Sequence, residues 1–134
     1  MKVEAKVDIF PLKKVFTISR GSRTVAEVVT VKLTKNNIFG FGECVPYKRY
    51  NETVDSVLKQ INEFGPIANR VELNNLLPPG AARNALDCAF WDLEAKSNNT
   101  SVKNLLSIKT LPLITSFTLS IDTVSYTHLR AHET

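Results

Sequence analysis

Val3, Ala5, Val7 and Ile9 alternate with Lys2, Glu4, Lys6 and Asp8. A period of two puts one set of side chains on a core and the other in water, so the chain is expected to open with a strand. Val29, Val31 and Leu33 alternate in the same way with Thr30, Lys32 and Thr34. Lys35-Asn36-Asn37 then supplies turn residues ahead of Ile38-Phe39-Gly40-Phe41, which reads as a hairpin. The first half is therefore read as a three-stranded antiparallel sheet. Residues 13–24, with Ser19, Gly21 and Ser22, follow neither period and are expected to form a loop between the first two strands.

The period then changes. Val54, Val57, Leu58, Ile61 and Phe64 recur at spacings of three and four, behind Asn51 as the expected N-cap and ahead of Gly65-Pro66 as the stop. A short helix is expected over residues 71–77, ending at Pro78-Pro79-Gly80. The helix expected over residues 81–97 gathers Ala81, Ala85, Cys88 and Ala89 on one side, small residues that permit close backbone approach, with Leu86, Phe90 and Leu93 widening the buried face. Ser101 can cap a short helix through Leu106, and residues 113–121 read as one further strand. Sheet first and helices afterwards is an α+β order.

Composition changes this picture little. A length of 134 residues with 43% hydrophobic and 22% charged residues is ordinary for one globular domain. No apolar run resembles a signal peptide or a membrane span, so a cytoplasmic location is expected and no membrane partner. The net charge of +4 comes from scattered basic residues with no run and no aromatic interleaving, which argues against a nucleic-acid partner. Cys44 and Cys88 are too few for a disulfide framework and lack metal-ligand spacing, so both are read as reduced, buried thiols, with a single disulfide left open.

Among the polar side chains, Glu43 has the parity of Phe39 and Phe41, so its carboxylate is expected on the apolar side of the sheet with hydrogen-bonding partners around it. A general acid/base role is the alternative. Asp92 is expected on the packed side of its helix, and Arg83, Asp87 and Glu94 on the wet side, with Asp87 pairing Arg83 and Asp92 pairing Lys96 at i, i+4. Asp87 and Glu94 stand two turns apart, too far to share one cation. Trp91 and Phe90 read as core residues. Val45-Pro46-Tyr47-Lys48-Arg49-Tyr50 displays two rings and two cations directly after a strand, and Arg20 and Arg23 add cations from the earlier loop. Such loops suit anionic ligands, although solvated loop charges give the same pattern.

The stretches Gly40-Phe-Gly-Glu-Cys-Val-Pro-Tyr-Lys-Arg-Tyr50 and Gly80-Ala-Ala-Arg-Asn-Ala-Leu-Asp-Cys-Ala-Phe-Trp-Asp-Leu-Glu-Ala-Lys96 together resemble the N-terminal capping domain of the enolase superfamily, muconate-lactonizing subgroup, and within it the dipeptide epimerases. The resemblance covers residues 1–123. It implies a cap over residues 1–110 and the first strand of a truncated (β/α) barrel over residues 111–123. It also implies that the two cap loops close over the barrel mouth, making Arg20, Arg23, Tyr47, Arg49 and Tyr50 candidate substrate contacts. An arginine among them would meet a carboxylate of an acidic dipeptide such as L-Ala-D/L-Glu. Thr118 matches the first-strand threonine that lines the substrate site in similar enzymes. Such enzymes bind Mg²⁺ through three acidic residues on later barrel strands and place two lysines on opposite faces of the substrate α-carbon, one removing the proton and the other returning it. Neither set is expected here, so the chain has no catalytic or metal residue to assign and is expected to be inactive as it stands.

Residues 124–134, VSYTHLRAHET, can be encoded by the mosaic end and adapter DNA of transposase-made sequencing libraries and are read as an artefactual tail, with a native disordered terminus as the alternative. His128 and His132 are the only histidines and fall inside it, without a scaffold to make them a site. A cap without its barrel is further expected to expose apolar surface. The competing readings are the cap of a cycloisomerase or o-succinylbenzoate synthase, and a free-standing α+β module that binds anions. The resemblance leaves a homo-oligomer open.

Overall fold

The computed structural model describes residues 1–19, 21–63, 65 and 69–116. Three strands, β1 (Lys2–Ile18), β2 (Gly21–Lys35) and β3 (Ile38–Cys44), form one sheet in the order β1-β2-β3. Strands β2 and β3 are antiparallel, in register from Val29 opposite Cys44 to Lys35 opposite Ile38. The turn between them has Asn36 at φ 51° and Asn37 at φ 63°, the two consecutive left-handed residues that a two-residue hairpin requires and that asparagine tolerates. Beyond the sheet lie a 3₁₀ turn (Lys48–Tyr50) and four helices: α1 (Val54–Glu63), α2 (Arg70–Leu76), α3 (Ala81–Ser97) and α4 (Val102–Leu105). The α+β order expected from the pattern is observed.

The chain divides into two compact units, one of Met1–Asp8 with Glu27–Lys109 and the other of Ile9–Ala26 with Thr110–Thr134. In the first, α3 is the central helix, touching β3, α1, α2 and α4. Val29, Val31 and Leu33 of β2 join Val57, Ile61, Leu73, Leu86 and Ala89 in one buried cluster. Leu33, Leu73 and Leu86 are fully buried, and each such side chain contributes about 1.5–3 kcal/mol relative to an exposed one. Gly40 and Gly42 sit directly against the α3 backbone. A Cβ on Gly40 would collide with the Ala89 carbonyl and the Leu93 amide; one on Gly42 would collide with the Ala85 carbonyl and lie 2.7 Å from the Ala89 nitrogen.

Three expectations change here. Residues 13–24 are largely strand rather than loop, because β1 runs to Ile18 and β2 starts at Gly21. This ribbon lies in the second unit, with Ile9, Phe10, Val15, Ile18 and Val25 exposed, so it carries no buried/exposed alternation for a pattern search to find. Helix α1 is capped by Thr53 rather than Asn51: the Ser56 amide donates to Thr53 Oγ1 at 3.1 Å, and the Thr53 amide donates back to Ser56 Oγ at 2.9 Å. Asn51 instead ends the 3₁₀ turn in a left-handed conformation. Of the strand expected over residues 113–121, residues 113–116 have neither helix nor strand geometry, and residues 117–121 lie outside the described residues. The cap expected at Ser101 is present, its side chain accepting from the Asn104 amide, and Asn69, which the pattern did not single out, caps α2 by accepting from the Glu72 amide.

Candidate functional site

Strand β3 delivers the chain into Val45-Pro46, and the backbone then closes on itself. The Tyr47 carbonyl accepts from the Tyr50 amide at 2.9 Å and the Glu52 amide at 3.2 Å, and the Asn51 amide donates to the Lys48 carbonyl at 3.0 Å. Asn51 can take φ 58° at small cost. The result is one tight turn that presents Tyr47, Lys48, Arg49 and Tyr50, all exposed, with Tyr50 at 68%. Two rings and two cations on an ordered turn form a surface suited to a carboxylate or phosphate, by charge-assisted hydrogen bonds from the guanidinium.

Of the six residues expected to contact substrate, the structure therefore brings Tyr47, Arg49 and Tyr50 together on one turn. Arg23 is exposed on β2 within the second unit. Arg20 and Thr118 lie outside the described residues, as do His128 and His132.

Glu43, expected on the buried side, is exposed. Its parity with Phe39 and Phe41 holds, but that face of β3 is the outer one, and both phenylalanines are 45% exposed. The buried face is Gly40, Gly42 and Cys44, because only a strand without side chains lets α3 approach so closely. The two rings stack edge to face at 5.5 Å between centroids. Lys32 lies 5.1 Å from the Phe39 ring, and Lys96 5.5 Å from the Phe41 ring.

The acids of α3 are arranged for structure. Asp92 pairs with Lys96 at 2.6 Å, as expected, and also accepts the Phe41 amide at 2.8 Å, satisfying a donor on the edge strand. Partial burial raises its carboxyl pKa, but the Lys96 and Phe41 hydrogen bonds outweigh this and hold it below the usual carboxylate range. The expected Asp87–Arg83 pair is not formed. Arg83 donates to the Leu77 carbonyl at 3.3 Å, while Asp87 faces Arg70 at 4.0 Å. Arg70 also meets Glu94 at 3.5 Å and stacks 3.2 Å from the centre of the Trp91 ring, so α2 is clasped to α3 by a residue the helix pattern of α3 alone does not reveal.

Cys44 is buried and Cys88 exposed, both free, so the expectation of two buried thiols holds for Cys44 only. Burial, helped by the Glu52 and Glu43 carboxylates, pushes the Cys44 thiol up to about 11, and burial likewise raises Cys88. Neither is an activated thiolate near neutral pH. Among the described residues, no group of three His, Cys, Asp or Glu side chains comes together to hold a metal ion, and no helix is long and apolar enough to cross a membrane.

Residues 2–107 match the family described as the mandelate racemase / muconate lactonizing enzyme, N-terminal domain. The chain is 48% identical over 122 residues to the L-Ala-D/L-Glu epimerase of Escherichia coli (strain K12), covering 87% of this chain and 38% of that protein. It superimposes with TM-score 0.82 and 37% identity on an enolase family member from Agrobacterium tumefaciens with homology to dipeptide epimerases, solved with sodium and L-Ala-L-Glu; 98% of this chain and 42% of that one are covered. The dipeptide epimerase from Methylococcus capsulatus, complexed with Mg and the dipeptide L-Arg-D-Lys, gives TM-score 0.85 and 25% identity, covering 98% of this chain and 41% of that one.

Proposed function

Because this chain belongs to the mandelate racemase / muconate lactonizing enzyme family, as the N-terminal capping domain of the enolase superfamily, we propose that it is the cap of a dipeptide epimerase acting on acidic dipeptides of the L-Ala-D/L-Glu kind. The observation that carries this reading is the near-half sequence identity to the Escherichia coli epimerase across most of the chain.

In this reading the turn at Tyr47–Tyr50 forms part of the wall over the substrate. Arg49 supplies a guanidinium group to a substrate carboxylate, and Tyr47 and Tyr50 exclude water from it; the resemblance makes Arg20 and Arg23 further candidate contacts. The resemblance also makes Thr118 a candidate contact, on the barrel strand that residues 111–123 would begin. The described residues do not fit magnesium, since no ligand trio is present. The metal ligands and the two lysines that exchange the α-proton belong to barrel strands, as the resemblance implies. The chain spans 38% of the length of the Escherichia coli relative. A cap supplies specificity by contacts to the remote end of a substrate, and those contacts matter through binding energy realised at the reacting carbon.

The test is substrate selection by the complete enzyme that carries this cap. Epimerization of L-Ala-D-Glu in preference to cationic or aromatic dipeptides is expected. Arg49→Ala is expected to raise KM for the acidic dipeptide about tenfold, the loss of one charge-assisted contact of about 1.5 kcal/mol. Muconate cycloisomerization or o-succinylbenzoate synthesis without dipeptide turnover would overturn the reading.

A further inference from the structure

We propose that Glu52 is a positioning residue that pins the aromatic-cationic turn to the N-terminus of α3, and so sets where Tyr47, Arg49 and Tyr50 stand; its consequence for substrate rests on reading that turn as part of the lid. Glu52 Oε1 accepts from the Ala81 amide at 2.6 Å, a contact between residues 29 apart in sequence. Helix α3 needs this acceptor. It opens at Gly80, which has no side chain to cap it, and first-turn amides otherwise lack an intrahelical partner. A carboxylate there is also favoured by the helix dipole.

Glu52 is fixed at both ends. Its own amide donates to the Tyr47 carbonyl, so one residue closes the turn through its backbone and anchors it through its side chain. The next residue, Thr53, begins the reciprocal cap of α1. On the entry side, Gly42 packs against α3 and the Phe41 amide is held by Asp92. The turn is therefore strung between two attachments to the same helix, and Glu52 supplies the side-chain link to it on the exit side. Gly80 makes room for it: a Cβ at that position would come within 2.9 Å of Glu52 Oε1. Gly80 has extended backbone, φ 167°, so alanine fits there conformationally and would displace only the carboxylate.

Freeing the carboxylate leaves β3 in place and loosens residues 47–51. A ligand would then have to order the turn on binding, which weakens affinity without altering the chemistry of the bound state. Amide exchange of the 134-residue chain tests the pin directly. Glu52→Ala and Gly80→Ala are both expected to speed exchange at Tyr50, Asn51, Glu52 and Ala81 about fivefold, the scale of one lost helix cap. Glu52→Gln, which keeps an acceptor oxygen, is expected to stay within about twofold of the parent. Unchanged exchange in Glu52→Ala and Gly80→Ala, or equal loosening in Glu52→Gln, would overturn the pin.

The complete enzyme then separates positioning from simple structural support. Glu52→Ala and Gly80→Ala should raise KM for L-Ala-D-Glu about fivefold with kcat nearly unchanged, and Glu52→Gln should restore KM. A loosened turn with unchanged KM would overturn the positioning role. Absence of dipeptide turnover in the unsubstituted enzyme would instead count against the proposed function, with the pin judged by exchange alone.

Discussion

Asp92 shows how much a single carboxylate does in this fold, since it holds both Lys96 and the outward amide of an edge strand. Its pKa is lower in the folded protein than in the unfolded chain, where an aspartate titrates near about 3.9. The stabilisation it brings is therefore fully present above that value and is lost as pH falls through the lower folded one. Asp92→Ala is expected to destabilise the protein by about 1 kcal/mol at neutral pH. Thermal melts should show that difference shrinking as pH is lowered from about 5 toward about 2. The cysteines give a second test at this scale. Cys88 is exposed and Cys44 buried with its thiol raised to about 11, so a thiol reagent at pH 8 should modify one cysteine in the native chain and two in denaturant. Two native reactive thiols would contradict the placement of Cys44. The sequence pattern placed Asp92–Lys96 correctly because i, i+4 pairs are local. It missed Glu52–Ala81 and Arg70–Glu94, which join residues distant along the chain.

Between elements, the decisive contact is β3 on α3. Ranking residues by hydrophobicity put Phe39 and Phe41 inside, yet the inner positions are Gly40 and Gly42. The legible signal was the shared parity of two glycines beside a helix rich in alanine, which together mean close backbone approach. Gly42→Ala is accordingly expected to cost about 2–3 kcal/mol, the range of an overpacked core, because the obstructing atoms are backbone and cannot swing away. Chemical denaturation measures it, and a loss below about 0.5 kcal/mol would contradict the packing described. The hairpin at Asn36-Asn37 and the helices were legible since turn chemistry and the 3.6 period are strong local signals. The β1–β2 ribbon was not, because neither face of it is consistently buried.

At the scale of the whole molecule, the family is read from two motifs that also explain the fold: the glycine-bearing strand and the small-residue helix that packs on it. Phe39 and Phe41 remain half open to solvent in the first unit, and Leu113 and Ile114 are 89% and 104% exposed in the second, exposed apolar surface that the proposed cap reading expects of the chain by itself. The isolated chain should therefore bind a hydrophobic dye more strongly than the complete enzyme does. The most direct test of the central claim, that this chain shapes a substrate site without moving a proton, is proton NMR of L-Ala-D-Glu in deuterated buffer with magnesium and the purified 134-residue chain. The account predicts no exchange at the α-carbon of the glutamate with the chain alone and ready exchange with the complete enzyme; α-carbon exchange catalysed by the chain alone would contradict it.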